Sequence, residues 1–265
     1  MFNYILNPHQ PNITIEGSII LTSTDIANAI AWANAAMISI DSATKAFDIN
    51  VFDTLGMRNL SGMVGEVFAK SVRKHSGHKL TSNLHQDGYP DLLLVDTEEK
   101  LSYYNSLFRT EGKKKYPHNK RDFSPFKCGG IEVKATCGST PSATETVSKP
   151  LIGEQRIQLI NSFDWKAHHR DTNNLLAILW DFLNEVPTVV ACFYRDDLTV
   201  DDWGKIVQPR EGGGRTTSVS IMKSAGVSKM CKGWIAVIDD EQYINKLAAR
   251  KWIGQDVSSC RVVQS

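Results

Sequence analysis

A mixed α/β fold built around one central sheet is the class this sequence predicts, and three observations carry the prediction. Short apolar runs bounded by turn residues stand at 91–95 and 131–135, where strands are expected. Strongly β-prone runs follow at 188–194 and 233–238. Between them lie segments with helical spacing of apolar residues, at 23–37 and 61–74 among others. Helices interleaved with buried strands imply layers packed on a single sheet.

Taken in order, residues 1–17 carry Pro8, Pro11 and Gly17 and read as an irregular or extended start. Ser23, Thr24 and Asp25 cap an alanine-rich helix that runs to about Met37. From Ser61 to Lys74, Met63 and Val67, and Val64 and Phe68, recur at helical spacing, with Ser61 as the expected cap. Gln86, Asp87, Gly88, Tyr89 and Pro90 form a turn into the strand Asp91-Leu92-Leu93-Leu94-Val95. Residues 97–127 are polar and basic. Gly129 and Gly130 then break into Ile131-Glu132-Val133-Lys134-Ala135, whose period of two predicts a second strand. Residues 138–150 read as a loop, and 154–183 as a helical pattern interrupted near 171–174. Pro187 introduces the strand at 188–194, and another is expected at 233–238. The whole, 1–265, reads as a single domain with a basic insertion at about 97–127.

Composition narrows the class. The chain has 265 residues, 42% of them hydrophobic, and a formal net charge of +1, which excludes whole-chain disorder. No run approaches the roughly 18 apolar residues that a membrane span needs. The first dozen residues lack a basic segment followed by an apolar one, so no secretory signal is expected. Five cysteines without a CxxC pair fit a reducing cytoplasm better than a disulfide scaffold. Near-zero net charge gives no global reason to expect nucleic acid, so such a partner must be argued locally.

The local argument starts from charged residues in apolar strands. Asp91 opens one strand directly after Pro90. Glu132 and Lys134 lie two apart on the other, so both side chains share a sheet face while Ile131 and Val133 take the opposite one. Two carboxylates beside a lysine suit a hard divalent cation and a nucleophilic water: Mg²⁺ takes one or two carboxylates, completed by waters and phosphate oxygens. Lys134 is placed to orient or help deprotonate the water and to offset charge at phosphorus. Phosphodiester hydrolysis is the chemistry that uses this set.

Pro90-Asp91 followed by Glu132-Val133-Lys134 resembles the PD-(D/E)xK nuclease superfamily, whose name spells those residue types, over about residues 60–136. Glu66, in the preceding helix, resembles the further acidic residue that many members place upstream. The resemblance implies a restriction-endonuclease-like core, a mixed sheet flanked by helices, with Asp91, Glu132, Lys134 and Glu66 as catalytic residues. It also implies a magnesium ion held by Asp91, Glu132, Val133 and Glu66. Asp91 and Glu132 are 41 residues apart, and the 97–127 excursion accounts for that length as an insertion. Glu98-Glu99-Lys100 also spells an acid-x-lysine but has no alternating apolar partners, and reads as a solvated turn.

A stand-alone chain of this length looks most like a type II restriction endonuclease. That implies double-stranded DNA as substrate, a short and palindromic site, a homodimer, and a cognate DNA methyltransferase. Candidate DNA contacts are Lys113, Lys114, Lys115 and Arg121 in the insertion, Gln155 in the helix expected after the Glu-x-Lys strand, and His168 and His169. Arg215, Thr216 and Thr217 belong to a Gly-rich loop that lacks the ending of a P-loop. Two alternatives stay open: a structure-specific or repair nuclease on the same core, and a non-catalytic DNA-binding protein with a degenerate one. His75, His78 and His85 have no fourth ligand at zinc-site spacing.

Overall fold

The computed structural model describes residues 2–85, 88–141, 150–167, 170, 173–208, 218–254, 257 and 261–264. From the N-terminus, β1 (Asn3–Leu6) precedes a hairpin of β2 (Asn12–Ile15) and β3 (Ser18–Thr22). Helices α1 (Ser23–Lys45), α2 (Val51–Thr54) and α3 (Met57–His75) lead to the strands β4 (Leu80–Ser82) and β5 (Leu92–Leu94). Helix α4 (Glu98–Ser106) and the hairpin β6 (Phe108–Glu111) and β7 (Lys114–Pro117) come before β8 (Gly130–Thr136). The chain continues through β9 (Lys166–Ala167), β10 (Leu175–Leu183), β11 (Val186–Arg195), β12 (Ser220–Ile221), α5 (Ser224–Lys232), β13 (Trp234–Ile238), α6 (Glu241–Ala249) and β14 (Arg261–Gln264).

Eight strands form the central sheet in the order β14-β1-β13-β11-β10-β8-β5-β4. The sheet is mixed: β8 and β10 run parallel, and the other neighbours are antiparallel. Helices cover both faces. Successive strand residues project to opposite sides. On β10, the Trp180 Nε1–H donates to Ser61 Oγ of α3 at 3.3 Å, while the next residue, Asp181, accepts from the Tyr243 hydroxyl of α6 at 2.9 Å. The mixed α/β class with a helix-flanked sheet is therefore as expected. Among the described residues no helix is long and apolar enough to cross a membrane.

Several elements differ from expectation. The first seventeen residues are extended, one of the two forms expected, and go further in holding β1, β2 and the turn into β3; burial of Ile5, Ile13 and Ile15 offsets the cost of ordering a Pro-punctuated segment. Thr22, not Ser23, caps α1, in a capping box with Asp25. Helix α3 begins at Met57 with Gly56 as N-cap; Ser61 lies inside it and its hydroxyl serves Trp180. The helical pattern at 154–183 is absent: turns and the short β9 lead into β10, a strand. Leu175-Leu176-Ala177-Ile178-Leu179-Trp180 is buried on both faces between β8 and β11, so it shows no alternation and its leucines and alanine imitate a helix.

The 97–127 excursion is folded. Tyr104, Leu107, Phe108, Phe123 and Phe126 join Leu93 and Val95 in a small second core. Asp96 to Lys100 is not a solvated turn but the start of α4, capped by Thr97, with Lys100 bridging Asp96 at 3.1 Å and Glu16 at 2.8 Å. Glu98-Glu99-Lys100 thus stays outside the Asp91 strand pair, for a helical reason rather than the expected one.

Candidate active site

Strands β5 and β8 pair with Leu92 opposite Ile131 and Leu93 opposite Gly130, so the next step sets Asp91 against Glu132. At that step side chains replace the backbone ladder. The Val133 N–H donates to Asp91 Oδ2 at 2.8 Å, and the Asp91 N–H donates to Glu132 Oε2 at 3.2 Å. Each carboxylate is thereby held by the other strand's backbone. Gly130 permits the approach: its φ is +150°, and a Cβ there would stand 1.9 Å from the Leu92 carbonyl oxygen.

Asn83 clamps the turn before Asp91. Its Nδ2 donates to the carbonyls of Pro90 at 3.0 Å and Phe123 at 2.9 Å, and its N–H donates to the Asp91 carbonyl at 2.9 Å. Tyr89 also exchanges backbone bonds with Phe123 and Phe126. The base of the excursion is thus tied to the turn that carries Asp91.

Lys134 completes the group. Its Nζ donates to Glu132 Oε1 in a short hydrogen bond and to the Val133 carbonyl at 3.1 Å, and lies 3.6 Å from Asp91 Oδ2. Glu132 and Lys134 share a face, as their spacing predicts. Three oxygen-bearing groups, from Asp91, Glu132 and Val133, surround one cationic nitrogen.

The electrostatics follow from two carboxylates facing one ammonium. Burial, with Glu132 only 7% exposed, pushes its carboxyl up to about 7; Lys134 offsets part of this and Asp91 adds to it. Burial also disfavours the charge on Lys134, but Glu132 and Asp91 outweigh it and hold the ammonium above its usual range. With both carboxyls ionised the site carries one negative charge more than Lys134 balances, and a bound divalent cation would favour that ionised form. The donor set fits Mg²⁺, which accepts one or two carboxylates and fills its remaining positions with waters and phosphate oxygens. Among the described residues no three His, Cys, Asp or Glu side chains form a cage of their own.

Glu66, exposed on α3, lines with Asp91 two adjoining cavities of about 400 and 380 Å³, the second also lined by Lys134. Glu66 therefore faces the same cleft. Lys113 and Lys114 are exposed at the tip of the β6–β7 hairpin, and Arg121 lies exposed in a short turn of helix. Lys115 is tethered to Asn105 Oδ1 at 3.2 Å. Gln155 is exposed and not on a helix; its Nε2 donates to the Tyr243 hydroxyl of α6 at 2.9 Å, beside Asp181. Gln158 lends its carbonyl to Lys246 at 2.6 Å. His168, His169, Arg215, Thr216 and Thr217 lie outside the described residues. His75 bonds the Ser71 carbonyl, while His85 lines the cleft beside Asp91.

Sequence reasoning missed Asn83, Arg58, Asp164 and Lys166, all close to the cleft. Asn83 and Arg58 are isolated polar residues, and Asp164 and Lys166 pair locally, but only the tertiary fold brings any of them to the cleft. No family model, curated protein or solved structure matches this chain.

Proposed function

We propose that the protein is a Mg²⁺-dependent endonuclease that cleaves double-stranded DNA at a short specific site, in the manner of the type II restriction enzymes of the PD-(D/E)xK superfamily. One observation carries this: the Asp91 and Glu132 carboxylates and the Val133 carbonyl converge on a single cationic position, held here by the Lys134 ammonium. An isolated cross-strand pair would be expected on a solvated face. Here both carboxylates are locked by opposing backbone N–H groups, Glu132 is buried, and Asp91 opens onto a cleft.

In that reading Asp91, Glu132 and the Val133 carbonyl hold the metal, with Glu66 available from across the cleft. The ion, when bound, polarises a phosphoryl oxygen and lowers the pKa of a coordinated water. Lys134, released from its carboxylate partners, turns its ammonium to the scissile phosphate. There it orients the attacking water and stabilises the charge that grows on the phosphoryl oxygens. The ends of β5 and β8 hold the two carboxylates through backbone N–H groups, so Lys134 is the group that must move before attack. The accompanying proposals are a two-fold homodimer, required for symmetric cutting of a palindrome, and a methyltransferase that protects the same site. Lys113, Lys114 and Arg121 are proposed to meet the DNA backbone.

Digestion of unmethylated phage DNA with Mg²⁺, followed by end mapping, tests the reading. Discrete fragments with constant ends are expected, and lost for Lys134→Ala while binding in Ca²⁺ persists. Intact DNA at every metal concentration would refute it.

A further inference from the structure

Beyond Lys134 the cleft opens into a cavity of about 810 Å³ that no step above uses. It adjoins the site directly, since Arg58, Ser61, Ala135 and Lys166 line both this cavity and the one that holds Asp91 and Lys134. Strand alternation takes Glu132 and Lys134 on to Thr136, two residues or roughly 6.6 Å further along β8. Thr136 Oγ1 bonds Asp164, and Asp164 also pairs with Lys166 at 2.9 Å. The acid on this wall is therefore already engaged.

Arg156 is the unexplained group. It lines the cavity and is only 6% exposed. Its backbone N–H is used by Asp181, yet its Nε is buried with no hydrogen-bond acceptor, and no carboxylate among the described residues lies within ion-pair distance of its guanidinium. A buried guanidinium N–H left this way costs free energy unless an acceptor arrives with a ligand. Among the described lining residues Arg156 and Lys166 face one carboxylate, that of Asp164, so this wall favours an anion, and the planar guanidinium fork suits phosphate.

We propose that this cavity is a phosphate subsite anchored by Arg156, which takes the phosphate next to the scissile one on the same DNA strand. The assignment to a strand rests on the nuclease reading; the anion site itself does not. Arg156 binds and positions. Its fork fixes the register of the strand so that one linkage alone meets Lys134.

The test measures thermal unfolding of the full chain with inorganic phosphate against chloride at equal ionic strength, and affinity for a short DNA duplex in Ca²⁺. Wild type, Arg156→Gln and Lys166→Gln are compared, with far-UV circular dichroism to verify folding. Phosphate is expected to raise the unfolding temperature of wild type but not of R156Q, and duplex affinity in R156Q is expected to fall roughly 10- to 100-fold. K166Q, an exposed position that need not disturb folding, should lose a few-fold. A phosphate response retained in both variants would overturn the subsite. A response lost in R156Q with duplex affinity unchanged would overturn its assignment to DNA. The phosphate result obtained in a protein that cuts no DNA would uphold the subsite and remove the nuclease reading instead.

Discussion

Replacing Lys134 with methionine isolates the cation that the two carboxylates share. Lys134 Nζ stands 3.6 Å from Asp91 Oδ2 and closer to Glu132. At an effective dielectric of about 20, the attraction at that separation is about 4–5 kcal/mol. Asp91 is partly open to solvent, which screens some of it, and the lysine's own desolvation offsets more. Removing one partner of such a group leaves like charges facing each other, at a cost of about 3 kcal/mol. For a chain of this length that is a fall of about 6 °C in unfolding temperature. Calcium should reverse it. With the competing ammonium gone, K134M should bind Ca²⁺ at least about tenfold more tightly than wild type, and a hundredfold excess over Kd restores about 2.7 kcal/mol. Calorimetry with and without Ca²⁺, alongside plasmid cleavage in Mg²⁺, reads all three quantities. A K134M protein with wild-type stability, wild-type calcium affinity and undiminished cleavage would show that Lys134 is an ordinary strand lysine, and the cation site would have to be abandoned.

Three further outcomes are expected. Gly130→Ala should cost at least about 2 kcal/mol in urea unfolding, because a Cβ 1.9 Å from the Leu92 carbonyl must push β5 from β8, and calcium affinity should drop with it. Wild-type stability with intact metal binding would count against the register. Asp181 is buried and its carboxyl is raised above the usual range by burial, despite bonds from the Arg156, Ile157 and Phe182 amides and the Tyr243 hydroxyl. The unfolded chain then releases the proton first, so the Asp181 contribution is greatest below the ordinary carboxylate pKa and is lost as pH rises through the raised one. Asp181→Asn should flatten that segment of the stability–pH curve while lowering stability at neutral pH by about 1–3 kcal/mol; an unaltered slope would argue against it. Changing Lys113, Lys114 and Lys115 together to alanine should weaken DNA binding and reduce the salt slope by about 0.9 for each phosphate no longer neutralised, and identical slopes would remove the hairpin from the interface.

Legibility from sequence differs by residue. Glu132 and Lys134 are readable as a unit because both lie on one strand, where period two alone decides which side chains meet. Asp91 is readable as a strand-opening carboxylate, but its pairing with Glu132 across 41 residues depends on seeing the excursion as an insertion that leaves β5 and β8 neighbours. Gln155 is misplaced because β10 and the turns before it imitate a helix, so its partner Tyr243 stays out of view. Asn83 and Arg156 carry no local signal at all.

The sequence by itself determined what is short-range: the mixed helix and strand content, the common face of Glu132 and Lys134, and the basic character of residues 97–127. Only the tertiary structure decided that Leu175–Leu183 is a strand, that Asp91 closes on Glu132 through exchanged backbone bonds, and that Arg156 is buried beside the cleft without an acceptor for its Nε. The reason is physical. Periodicity encodes which way a side chain points from its own element, whereas burial and hydrogen-bond partners are set by whichever distant segments pack against it.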